Sequence, residues 1–186
     1  MKLLLFMIII TIFSASIFAQ PSEDKNKELS LSGSFQNISS GNSEGSSGAL
    51  LISPRLGFFV YKGLELEPEL LFMVGSGAAP VYMLNGNISY NFISKGKVVP
   101  FLLAGYGLAN TVPVFNIPLI RTDFTVGVLN LGIGIKSFLK DDIAIRVEYR
   151  YQSFSGQKET TNSYYSYLQK VDTRIHSVQF GISILL

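Results

Sequence analysis

Cysteine and tryptophan are both missing from these 186 residues, histidine occurs once, and only 15% of side chains are charged. Without thiols there is no disulfide framework and no lipid-modified cysteine at a processed N-terminus. A single imidazole leaves little for a hydrolase or a transition-metal centre. The charged fraction is well below the roughly 25% of an ordinary soluble domain. The basic and acidic residues, 15 against 13, nearly cancel, and no Lys/Arg cluster marks a nucleic-acid footprint. Long apolar runs are also scarce. Beyond the N-terminus none approaches the ~20 residues of a membrane helix, although mean hydropathy is +0.33.

The N-terminus has its own character. Met1-Lys2 leads into an apolar stretch from Leu3 to Phe13, closed by the small residues Ser14, Ala15, Ser16 and Ala19. This is the order of a secretory leader. It predicts a signal peptide over 1–19, cut after Ala19 with Ala15 and Ser16 as other cut sites, and one exported domain over 20–186.

From Leu29 onward apolar and polar residues alternate with period two, and no 3.6-residue stripe is sustained. The pattern predicts eight strands, at 28–37, 49–60, 64–74, 81–92, 98–109, 124–138, 143–152 and 173–186. Their lengths suit tilted membrane strands. Short turns at 61–63, 93–97 and 139–142 alternate with longer connections at 38–47, 75–80, 110–123 and 153–172. Long loops at one end of a meander and short turns at the other are the arrangement of an outer-membrane barrel. An even strand count behind a leader puts both termini on the periplasmic side.

Apart from strand five, the strands have an apolar and a polar wall. Strand three sets Leu64, Leu66, Leu70 and Phe72 against Glu65, Glu67 and Glu69; strand seven sets Ile143, Ile145, Val147 and Tyr149 against Arg146, Glu148 and Arg150. Alternation alone fits a soluble barrel with an apolar-ligand core equally well. Lipid is favoured on the apolar side by aromatics toward the strand ends, by glycines Gly57, Gly132, Gly134 and Gly181 on the polar phase, and by the low charge. The lumen then receives Glu65, Glu67, Glu69 and Glu148 with Arg55, Lys136, Arg146 and Arg150. Turning such a base toward mid-bilayer lipid costs about 2–4 kcal/mol. Four acids against four bases predict a paired polar core; rearranging them to open an ion path is the other reading. Strand five is apolar on both walls, and Pro100, Leu102, Ala104, Tyr106 and Leu108 are assigned outward.

Arg146-Val147-Glu148-Tyr149-Arg150-Tyr151, preceded by Asn130-Leu131-Gly132-Ile133-Gly134-Ile135-Lys136 and the turn Lys140-Asp141-Asp142, resembles the last hairpin region of small outer-membrane barrels of the OmpA/OmpX/OmpW-like type. Residues 53–60 and 100–107 are similar to their early and middle strands. The resemblance implies an all-β, eight-stranded antiparallel transmembrane barrel without catalysis, with a porin-like or surface structural and interaction role. A narrow channel for small or hydrophobic solutes is the alternative. Phe180, Ile182, Ile184 and Leu186 resemble the C-terminal assembly signal, with Leu186 where many relatives have an aromatic, and imply the barrel-assembly machinery as a partner beside outer-membrane lipid.

Chemistry is sparse elsewhere. His176 and Ser177 are neighbours on a strand and therefore point to opposite faces, which argues against a lipid-modifying hydrolase. Glu65, Glu67 and Glu69 share a wall and suit a divalent cation, but the nearby bases make salt bridges the expected outcome, so no metal or cofactor is predicted. Two loops offer surface contacts. The first carries Tyr164, Tyr165 and Tyr167 among Ser, Thr and Asn, a composition suited to recognition. The second carries Phe115, Ile117 and Leu119 in an apolar stretch that caps the lumen, lies in lipid, or admits a small apolar solute.

Overall fold

The computed structural model describes residues 25–39, 46–75, 80–92, 96–110, 126–162 and 165–186. Eight antiparallel strands close into a barrel in sequence order: β1 (Lys27–Ser39), β2 (Ser46–Tyr61), β3 (Leu64–Gly75), β4 (Val81–Asn91), β5 (Val98–Ala109), β6 (Val126–Phe138), β7 (Ile143–Asn162) and β8 (Tyr165–Leu185). Closure comes from β1 pairing with β8, Glu28 opposite Leu185 through Gly33 opposite Phe180.

The end that holds the N-terminal start of β1 and the C-terminus, here the terminal end, has tight turns. Gly63 turns β2 into β3 with φ 74°, a left-handed backbone that only glycine adopts cheaply, and its carbonyl accepts from Asn91 N at 2.6 Å. Leu139 N donates to Ile143 O at 2.8 Å to close the β6–β7 turn. A register shift between Phe59 and Tyr61 lets β2 run one residue further than the alternation predicts.

The far end departs from expectation. The connection predicted over 153–172 is mostly strand: β7 and β8 continue as a two-stranded ribbon in register from Ser155 opposite Asp172 to Asn162 opposite Tyr165. From Gln157 to Asn162 the sequence is polar at every position, so the alternation stops while the pairing continues. Tyr165 and Tyr167 therefore belong to β8 rather than to a loop, and Tyr164 lies outside the described residues. Phe115, Ile117 and Leu119, like residues 1–24, also lie outside them.

The outward wall is a continuous apolar band. Leu29, Leu31, Leu66, Leu70, Leu84, Ile88, Leu129, Ile133, Phe180 and Ile182 are all exposed. The charged side chains exposed on that wall lie at its two ends, Lys27 at the terminal end and Asp172 and Arg174 at the far end. Leu102, Tyr106 and Leu108 face outward on β5, so its inner wall is Phe101, Leu103, Gly105, Gly107 and Ala109. Complementary volumes select that phase: Phe101 sits opposite Gly134 and Leu103 opposite Gly132, where β6 has no side chain to collide.

Candidate functional site

The inward positions form two strata. The terminal half of the lumen is polar and is filled by ion pairs. Nearest the end, Lys136 Nζ donates to Glu28 at 2.6 Å and to Glu65 at 2.9 Å, while Asn91 Nδ2 donates to Glu65 at 2.9 Å. One turn of the ladder further in, Arg146 pairs with Glu67 and with Glu148, both at 3.0 Å, and lies 4.3 Å from the Phe101 ring centroid. Arg55 crosses the lumen to reach Glu148 at 2.7 Å, Glu69 at 2.8 Å and the Gln179 carbonyl at 2.6 Å. Arg150 closes the stack between Glu148 at 2.6 Å and both oxygens of Glu69 at 2.6 and 2.7 Å.

Glu69 is the hub: besides the two arginines it accepts from Ser53, from Asn85 at 3.1 Å and from Asn87 at 2.8 Å. Every charged member sits at 2% exposure or less. Pairing and charge-assisted hydrogen bonds are what make such burial tolerable.

All eight predicted lumen residues, Arg55, Glu65, Glu67, Glu69, Lys136, Arg146, Glu148 and Arg150, lie in this one network. The predicted balance of four and four is incomplete, because Glu28 joins them and makes five acids against four bases among the described residues. Its signal was available: Glu28 stands two residues before Ser30 on the same phase, at the first turn of β1. Glycines make the room. A Cβ at Gly57 would collide with the Glu65 carboxylate, and one at Gly132 would come to 3.1 Å from Glu148.

The far half of the lumen is apolar, a stratum the sequence reading did not anticipate. Ala49, Leu51, Leu71, Met73, Val81, Met83, Ala109, Val126, Val128, Phe154 and Ile175 form one buried cluster. Gln152 marks the boundary, donating to Asn130 at 2.8 Å and reaching Met83 Sδ at 4.0 Å. The lumen is thus an ion-pair stack capped by a hydrophobic plug.

The sole histidine is on the other wall. His176 Nδ1 lies 2.6 Å from Tyr149 Oη, and its ring centroid is 5.1 Å from that of Tyr151, which makes an outward aromatic cluster where the apolar band ends. Ser177 is buried on the lumen side. Phe180, Ile182, Ile184 and Leu186 all face outward and are exposed. Among the described residues no group of three or more His, Cys, Asp or Glu side chains is arranged to hold a metal ion.

An apolar exterior wrapped around a charged interior is stable only in a lipid solvent, where a closed barrel also satisfies its backbone. The fold therefore defines a transmembrane β-barrel. The sequence matches the outer membrane protein beta-barrel domain family over residues 6–183, and the chain belongs to that family. It resides in the bacterial outer membrane. Among solved structures it is similar to the Neisserial surface protein A, with a TM-score of 0.61 at 16% identity over 86% of this chain and 97% of that one. A de novo designed transmembrane β-barrel aligns with a TM-score of 0.48 at 16% identity over 89% of this chain and 99% of that one. No curated protein sequence matches the chain.

Proposed function

We propose that this protein is a closed, non-catalytic barrel whose work is done at its outer surface, as a structural or interaction module rather than as a standing pore. One observation carries the reading: the ion-pair stack and the plug above it are both packed shut, with Arg150, Leu51, Leu71, Val128 and Phe154 at 0% exposure. An ion crossing the barrel would have to break the salt bridges and also part an apolar layer that offers it no ligand, and the two barriers lie in series. The porin-like and narrow-channel alternatives both require that layer to open.

Catalysis is disfavoured by the same geometry. His176 is engaged with Tyr149 on the outward wall, and its neighbour Ser177 faces the lumen. Export by a leader over 1–19, termini in the periplasm, and delivery by the barrel-assembly machinery through Phe180, Ile182, Ile184 and Leu186 complete the proposal. With that orientation the ribbon of β7 and β8 projects from the cell.

The test is to refold residues 20–186 into lipid vesicles, verify the fold by faster gel migration before boiling, and then record planar-bilayer currents. Silence in the folded protein, together with surface binding lost when the ribbon is trimmed back to the barrel wall, is expected. Steady single-channel steps that change on substitution of Arg146 or Glu148 would replace this reading with a pore.

A further inference from the structure

The barrel is closed by its shortest seam. β1 stays paired with β2 up to Ser39, and β8 stays paired with β7 back to Tyr165, yet the β1–β8 register ends at Gly33 opposite Phe180. Among the described residues, 34–39 of β1 and 174–179 of β8 are therefore strands with a neighbour on one side only, and neither pairs with the other. Continuing the register would set Ser34 opposite Gln179 and Ser39 opposite Arg174. The split begins near the top of the apolar band, at Phe35 and Val178, and runs past the His176 cluster toward the far end. Phe35 is 75% exposed there.

A second observation lies behind the same stretch. Ser177 and Gln179 face the lumen at 4% and 1% exposure, and neither Ser177 Oγ nor Gln179 Nε2 has a hydrogen-bond partner among the described residues. Open strand edges offer rows of N–H and C=O groups, and buried polar atoms without partners, Ser177 Oγ and Gln179 Nε2, add to that demand. An acyl chain brings neither donors nor acceptors. An extended polypeptide brings both, at the spacing of a ladder.

We propose that the seam above Gly33 and Phe180 is a strand-addition site, which takes an extended segment of a partner protein along the free edge of β8. The segment presents small or polar side chains to Ser177 and Gln179 and apolar ones outward beside Phe35 and Val178. This rests on the surface-module reading and supplies its mode of recognition.

The probe is a labelled synthetic peptide with the sequence of residues 30–39, which matches the β8 edge by continuation of the native register. It is added to the folded full-length barrel in phosphatidylcholine vesicles. Saturable binding is expected, together with slowed exchange at the alternate amides of 174–179 that point away from β7, and both are lost when alternate peptide amides are N-methylated on the pairing edge. The cysteine-free background allows a second arm. In the Phe35→Cys/Val178→Cys variant, oxidation staples the seam only if the strands come to ladder distance; the stapled barrel should lose the peptide and regain it on reduction. If the staple does not form, the exchange measurement decides alone. No saturable binding, binding indifferent to N-methylation or to a formed staple, or protection without peptide at those amides of 174–179 that point away from β7 would overturn the proposal. Channel currents would instead overturn the closed-barrel reading, so the two failures are separable.

Discussion

Removing Arg150 is the sharpest probe of whether the lumen network stabilises the barrel. In Arg150→Met the side-chain stem is kept and the charge is lost, leaving Glu69 with Arg55 and Glu148 with Arg55 and Arg146. Arg150 contacts both carboxylates at 2.6 Å. With charge centres about 4 Å apart and an effective dielectric of about 20, each pair contributes about 4 kcal/mol before desolvation. Deleting the guanidinium relieves its own desolvation of several kcal/mol, but strands part of two buried negative charges, and the net loss is about 3–5 kcal/mol. Against a total stability of about 5–15 kcal/mol this is large. With no tryptophan to report unfolding, urea titration in vesicles is read by the fraction of fast-migrating unboiled band. Arg150→Met/Glu148→Gln, which also removes one of the stranded charges, should recover about 1–2 kcal/mol of the loss, within the usual coupling between contacting residues. A single variant within about 1 kcal/mol of the parent, or a double variant no better than the single, would refute the claim that pairing offsets the burial of these charges.

The same titration checks four further substitutions. Gly63→Ala forces a Cβ onto a left-handed residue beside the Asn91 carbonyl and should cost about 1–2 kcal/mol. Gly134→Val drives a side chain into the Phe101 ring and the Val147 carbonyl, and is expected to lose about 1–3 kcal/mol, with partial recovery in Gly134→Val/Phe101→Ala. Leu71→Ala hollows the hydrophobic plug, for a loss of about 2–5 kcal/mol; no change would mean that the plug is not packed as described. Ile133→Arg places a charge on the outward wall near mid-strand and should destabilise the lipid-embedded barrel by about 2–4 kcal/mol, whereas a water-exposed position would tolerate it.

Legibility in the sequence followed the physics of each stretch. β3, β4 and β5 are readable to within a residue, because the two walls meet different solvents and turn residues bracket each run. Arg146, Glu148 and Arg150 could be placed together because one strand phase holds all three, and Glu65, Glu67 and Glu69 likewise. Which acid meets which base is a matter of register across the lumen, as in Arg55 reaching Glu148, and no local pattern encodes it. The plug was hidden for a different reason: Leu51 faces in while Ile52 faces out, so an apolar stratum on both sides of the wall erases the alternation. Phe101 was decidable in principle from its glycine partner on β6, since a narrow lumen pairs large residues with absent ones.

The seam shows the limit most clearly. Its existence depends on how far two strands from opposite ends of the chain remain in register, a purely non-local quantity. Beyond Gly33, β1 keeps its phase at Ser34, inward, and Phe35, outward, and stays paired with β2 to Ser39, while β8 keeps its phase at Ser177 and Val178 and stays paired with β7. Each strand therefore remains fit to pair where it has no partner across the seam. A sequence under pressure only to close the barrel would gain by extending the ladder, because each added pair satisfies backbone groups that otherwise face a lipid–water boundary. Strand-competent sequence on both sides of an unpaired split is better explained by a third strand that comes and goes than by a failure of closure.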